Sequence, residues 1–138
     1  MRVVRGAAIA YSAVTAAVVA FQLALAAGVP WGAYAMGGAF PGAFPPALRI
    51  AAVVQAILLG AVALVVLARA GVAMCTWERA SARLIWAVVA LSSVGLVLNL
   101  ITQSVGERAI WAPVAAVQLG CVLVVAFGAR RADPRGSA

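Results

Sequence analysis

The chain of 138 residues contains no histidine, no lysine, only three acidic residues (Glu78, Glu107 and Asp133) and two cysteines. Without histidine and with so few carboxylates, most metal-ligand sets and most acid–base mechanisms are excluded. Without lysine there is no Schiff-base chemistry. Cys75 and Cys121 form no C-x-x-C motif and fall at different depths of the expected topology, which argues against thiol oxidoreductase chemistry. Haem and glycine-rich nucleotide signatures are missing as well. The G-x-x-x-G from Gly28 to Gly32 carries Pro30 and reads as loop. No metal and no organic cofactor is expected.

Charge is equally scarce, at 9% of residues against 67% hydrophobic. A soluble domain of this composition would lack the polar groups to cover its surface, so the chain reads as an integral membrane protein. At roughly 20 apolar residues per span the length allows about four crossings and leaves no room for a large extramembrane domain.

The apolar runs divide accordingly into spans at about 6–27, 47–68, 77–101 and 105–128, followed by an Arg-rich tail at 129–138 expected to be disordered. The fold class is all-α: a single four-helix bundle in the membrane, with an apolar Gly/Pro/aromatic outer loop between helices 1 and 2. Pro45-Pro46 suits the first turn of the second span, and Arg69-Ala70-Gly71 stops it. Thr76 is a plausible N-cap for the third, with Glu78 in its first turn. The fourth has two possible starts: Ser104-Val105-Gly106-Glu107 fits a capping box and places Pro113 mid-helix, whereas Pro113 could itself open the helix. The capping-box start is preferred.

All ten basic residues are arginines, and they flank spans instead of forming a stripe, which disfavours a nucleic-acid partner. Eight of them lie in the two tails and the middle loop, leaving Arg49 and Arg108 on the other side. The positive-inside rule then puts both termini in the cytoplasm of a bacterial plasma membrane. A competing reading is a cleaved signal peptide, with Arg2 and Arg5 as its n-region and Ala24-Leu25-Ala26 as its cleavage site; it leaves three spans in the same orientation.

Within this apolar frame each span carries one amide, Gln22, Gln55, Asn99 and Gln118. At about 1.5 Å per residue, all four fall some 3 to 9 Å below the outer interface. Tyr11, Thr15 and Gln22 share one helical stripe, as do Ser92, Gly95, Asn99 and Thr102, and also Trp111, Val114, Gln118 and Cys121. A lipid-facing amide would lack a partner, so these stripes are expected to face inward. Either the amides bond to one another and hold the bundle together, or they line a small polar cavity open on the outer side.

The loop from Gly28 to Leu48 has no charge, five glycines, four prolines and four aromatics (Trp31, Tyr34, Phe40 and Phe44). Its Pro and Gly content opposes a regular span and its aromatics oppose free exposure to water, so it is expected to form an interfacial or partly re-entrant lid. Arg49 follows in the first turn of span two, where a cation is unfavourable against the helix dipole unless an anion is near. A lipid phosphate, Glu107 and an anionic ligand are the three candidates.

Pro30-Trp31-Gly32, Gly37-Gly38, Pro41-Gly42, Pro45-Pro46-Ala47-Leu48-Arg49, Asn99-Leu100-Ile101-Thr102, Glu107-Arg108 and Trp111-Ala112-Pro113 together resemble a family of small four-span bacterial integral membrane proteins of unknown function. The resemblance spans about 21–125. It implies the four-span architecture, places the outer loop and the 99–113 region in one site, and carries over no catalytic residue.

The function expected from these residues is non-enzymatic. Gln22, Gln55, Asn99, Gln118, Trp31, Tyr34, Arg49, Glu107 and Trp111 are the candidate binding residues for a lipid, a small apolar ligand or a membrane-protein partner. The alternatives are an isomerase- or cyclase-like membrane enzyme using Glu107, Arg49 or Tyr34, and a facilitator that would have to oligomerise. The absence of an intramembrane carboxylate disfavours proton-coupled export. Oligomeric state is left open.

Overall fold

The computed structural model describes residues 1–131, apart from the side chains of Cys75 and Arg131. The tail at 132–138, including Asp133 and Arg135, and the relation of Cys75 to Cys121 lie outside the described residues. Four helices make up the described chain: α1 (Arg2–Ala27), α2 (Pro46–Arg69), α3 (Glu78–Ile101) and α4 (Val105–Arg131). All four are long and apolar enough to cross a membrane, and the protein is a multi-pass integral membrane protein.

Consecutive helices are neighbours, and α4 closes the ring by packing on α1. The α2–α3 pair is the slackest of the four neighbouring contacts. The start of α1, the end of α4 and the α2–α3 turn lie at one end of the bundle. The long α1–α2 loop and the short α3–α4 turn lie at the other, called here the lid end.

Local signals explain most boundaries. Gly28 ends α1 in the left-handed conformation (φ 96°), and Gly28 and Val29 return their N–H groups to Leu25 and Ala24. Gly71 (φ 64°) likewise follows the end of α2. The α4 helix begins at Val105, so Pro113 is inside it; Ser104 is its cap, its Oγ accepting the Glu107 N–H at 3.2 Å.

Three boundaries differ from the sequence expectation. Helix α1 begins at Arg2, because Val4 and Ala8 pack against the last turns of α4, where Gly128 leaves room for the Val4 side chain. At the other terminus α4 continues to Arg131, three residues into the expected tail. Thr76 caps nothing: Met74 adopts a left-handed conformation (φ 50°) and turns the chain through a 3-10 turn at Cys75–Trp77, so Trp77 occupies the cap position.

The packed core belongs to the terminal end. Val66, Ile85, Val122 and Val125 are fully buried there among alanines, with Tyr11 at its upper edge. Trp86 packs edge-on against Phe127 at that end (centroids 5.3 Å), with the Arg130 guanidinium 5.5 Å from its ring centre. The lid end has only a small cluster of Leu25, Phe44 and Ala52. That difference leaves space beneath the loop.

Candidate functional site

The α1–α2 loop folds into a lid through two 3-10 turns, Gly32–Tyr34 and Met36–Gly38. It closes on itself where the Gly32 N–H donates to the Gly42 carbonyl at 2.9 Å. A side chain at Gly32 would run into the Phe40 carbonyl oxygen, so the crossing requires glycine. Phe44 is buried against Leu25 and Ala52 and anchors the returning strand of the loop.

Three hydrogen bonds pin this lid to the start of α4. The Glu107 carboxylate accepts the Gly37 N–H at 2.6 Å, Ser104 Oγ donates to the Ala33 carbonyl at 3.2 Å, and the Trp111 indole N–H donates to the Tyr34 carbonyl at 2.7 Å. Thr102 adds a hydroxyl donor to the same Glu107 oxygen at 3.1 Å. Gly37 reaches this position with φ 70°, a left-handed conformation that glycine adopts without strain. Phe21 of α1 completes the attachment, lying parallel to Trp31 (6.0 Å) and tilted against Trp111 (4.7 Å). The structure thus joins the loop to the 104–111 region.

Arg49 settles on a partner that the sequence did not suggest. Its Nε donates to the Phe44 carbonyl at 2.7 Å, and its guanidinium lies flat over Gly28, where an added Cβ would meet Nη2 at 2.9 Å. The cation therefore sits at the C-terminal end of α1, where unsatisfied carbonyls carry partial negative charge. No ion pair joins Arg49 to Glu107 among the described residues, and the three expected anions are not needed to explain its position.

Beneath the lid lies a cavity of about 420 Å3, within the range of about 300 to 1,000 Å3 usual for small-molecule sites. All four amides line it, together with Tyr34, Glu107 and Trp111. Of the nine candidate residues, Trp31 and Arg49 do not line it; they support the lid from behind. Sequence reasoning missed Phe21 and Phe44 as wall residues and missed Gly37 as the acceptor's partner. The positive-φ habit of the Gly37-Gly38 pair is the one signal that pointed to a special backbone there.

The expected mutual bonding of the amides is not observed. Gln118 Nε2 donates to Thr15 Oγ1 at 3.0 Å, linking α4 to α1, while Thr15 donates onward to the Tyr11 carbonyl. Asn99 Nδ2 returns to the Gly95 carbonyl of its own helix. Gln22 and Gln55 make no side-chain hydrogen bond to a described residue, although Gln22 is only 8% exposed. The four amides line one cavity without a hydrogen bond between any two of them among the described residues.

No family model, no curated protein and no solved structure matches the chain. What the cavity can do is therefore argued from its walls. The α1 and α4 walls are half-buried or buried. On the other side Leu58 of α2 and Leu91, Val94 and Leu98 of α3 line the cavity and are also more than half exposed. The opening thus lies between α2 and α3, the slackest pair, and in a membrane it faces lipid.

Tyr34 and Glu107 line the cavity, and Arg49 does not. The carboxylate and the Tyr34 carbonyl hold the lid, and the guanidinium lies on Gly28. These three polar groups are used to build the roof.

Proposed function

We propose that this protein is a non-enzymatic membrane binding protein whose cavity under the lid takes a lipid or a small apolar ligand from the bilayer. The observation that carries the reading is Gln22, an amide more than nine-tenths buried that faces the cavity without a protein partner. Its amide opens into the cavity, where an apolar filling would leave it unpaired at a cost of about 1 to 3 kcal/mol and a ligand's polar group would not. Exposed Gln55, on the portal side of the same cavity, has the same unused capacity.

The membrane is proposed to be a bacterial plasma membrane, with the lid outside and both termini in the cytoplasm. Support comes from the arginine asymmetry: Arg2, Arg5, Arg69, Arg79, Arg83, Arg130 and Arg131 lie in the helix ends at the terminal end of the bundle, against Arg49 and Arg108 at the lid end.

Native mass spectrometry of the protein released from its own membrane in mild detergent tests the binding reading. The expected spectrum shows a defined non-detergent adduct on the intact chain. A bare chain whose cavity also retains no added lipid would refute it.

A further inference from the structure

The walls of the cavity also specify what kind of molecule fits, an inference that rests on the binding function proposed above. We infer that the ligand is an uncharged, single-tailed amphiphile whose head both donates and accepts hydrogen bonds, held with its head among the amides and its tail in the portal between α2 and α3.

The head group follows from the chemistry on offer. Gln22 and Gln55 each present a carbonyl oxygen and an NH2 group with no described partner; Gln118 and Asn99 have each committed one N–H and retain an oxygen. Donors and acceptors are therefore both in surplus. A group that only accepts, such as an ester, would leave the amide oxygens unsatisfied, and a hydroxyl-bearing or carboxamide head matches both.

Charge is excluded by what surrounds these amides. No arginine lines the cavity, so an anionic phosphate or carboxylate head would enter an apolar enclosure without a counter-charge, and Glu107 at the roof would repel it. A cationic head meets the opposite obstacle. It would be drawn to the Glu107 carboxylate at the roof, about 16 Å along α4 from Gln118, and a head seated there would leave the amide at the Gln118 level unpaired.

The tail follows from the portal. Exposed Leu58, Leu91, Val94 and Leu98 form an apolar gap below the amide level, continuous with the hydrocarbon of the bilayer. The roof is sealed at the same time by Gly37, Ala33 and Tyr34 on α4. A membrane-dissolved amphiphile can therefore enter sideways without passing through water.

The experiment uses the delipidated full chain in detergent with an equimolar mixture of four probes sharing one oleoyl-type tail: monooleoylglycerol, methyl oleate, oleylamine and oleoyl lysophosphatidate. Native mass spectrometry reads which is retained. The expected result is one monooleoylglycerol per chain, with methyl oleate weaker. Gln55→Leu should lower retention roughly threefold, the effect of one average membrane hydrogen bond. Gln55 is exposed at the portal, so its replacement by leucine does not threaten the fold; Asn99→Leu is the second variant. Preferential retention of oleylamine or lysophosphatidate, or retention indifferent to both variants, would overturn the neutral-head assignment and leave the binding function standing. Retention of none of the four would overturn the binding function itself.

Discussion

Breaking the Glu107–Gly37 bond should open the lid without unfolding the bundle. The carboxylate oxygen accepts the Gly37 N–H at 2.6 Å, and hydrogen bonds to an ionised group contribute about 1.5 to 3 kcal/mol net. Glu107 is only half-buried, so the lower part of that range applies, about 2 kcal/mol. Glu107→Ala should therefore raise the open population of the loop by about 30-fold. Glu107→Gln keeps an acceptor in place and loses the charge, which roughly halves the interaction; about 1 kcal/mol and fivefold follow. The Ser104–Ala33 and Trp111–Tyr34 bonds survive in both variants, so the opening is local. Hydrogen–deuterium exchange in lipid nanodiscs reads this directly at the Gly37 amide and the loop around it. Exchange there should rise in the order wild type, Gln, Ala, while α1 to α3 remain unchanged. If the loop exchanges at the same rate in all three, the latch is not a latch. If instead the first turns of α4 lose protection along with the loop, Glu107 acts as a helix-capping residue and the lid merely follows.

Three further outcomes follow from the same geometry. Gly32→Ala should sharply reduce folded yield and thermal midpoint by fluorescence-detected gel filtration, since the added methyl meets a backbone carbonyl that has no rotamer to yield; Gly6→Ala, placed in open space, is the control and should be neutral or mildly stabilising. Gln22→Leu should stabilise the ligand-free protein by about 1 kcal/mol in a detergent unfolding titration, because it removes an unpartnered buried amide, and should weaken lipid retention; a destabilised Gln22→Leu would mean that this amide has a partner in the fold. Reporter fusions should show a carboxy-terminal fluorescent protein that lights up and a phosphatase at residue 39 or 103 that is active; the reverse pattern would invert the proposed orientation.

Much of this architecture was legible because lipid imposes it. Long apolar runs, Pro45-Pro46, Gly71 and the Ser104–Glu107 cap each mark a boundary through a local cause, and the boundaries near them are where expectation and structure agree. The errors arise where a distant contact decides. Helix α1 extends to Arg2 because Val4 meets Gly128, at the opposite end of the chain. Thr76 fails as a cap because Met74 takes a positive φ that no local pattern announces. The depth arithmetic brought the four amides to one level, and they do share one cavity; what each bonds to depends on the neighbours across the bundle, such as Thr15 for Gln118, which spacing within one helix does not encode. Glu107 shows the same limit. Its place in the capping box was visible, but its partner Gly37 lies 70 residues away, in a loop whose path is set by the Gly32–Gly42 crossing.

The cavity has an energetic consequence that bears on selectivity. The cavity is not a sealed void, because the wall of Leu58, Leu91, Val94 and Leu98 leaves it open between α2 and α3. Through that opening hydrocarbon from the bilayer can fill it. Any ligand therefore displaces a lipid tail, and exchanging one apolar tail for another contributes little, since both leave the same environment. The free energy that distinguishes one occupant from another must come from the head group, where Gln22 and Gln55 gain hydrogen bonds that an acyl chain does not offer. Affinity in such a site is modest and chemistry-specific: enlarging the tail should change retention little, and removing a single head-group hydroxyl should change it by about the worth of one amide contact.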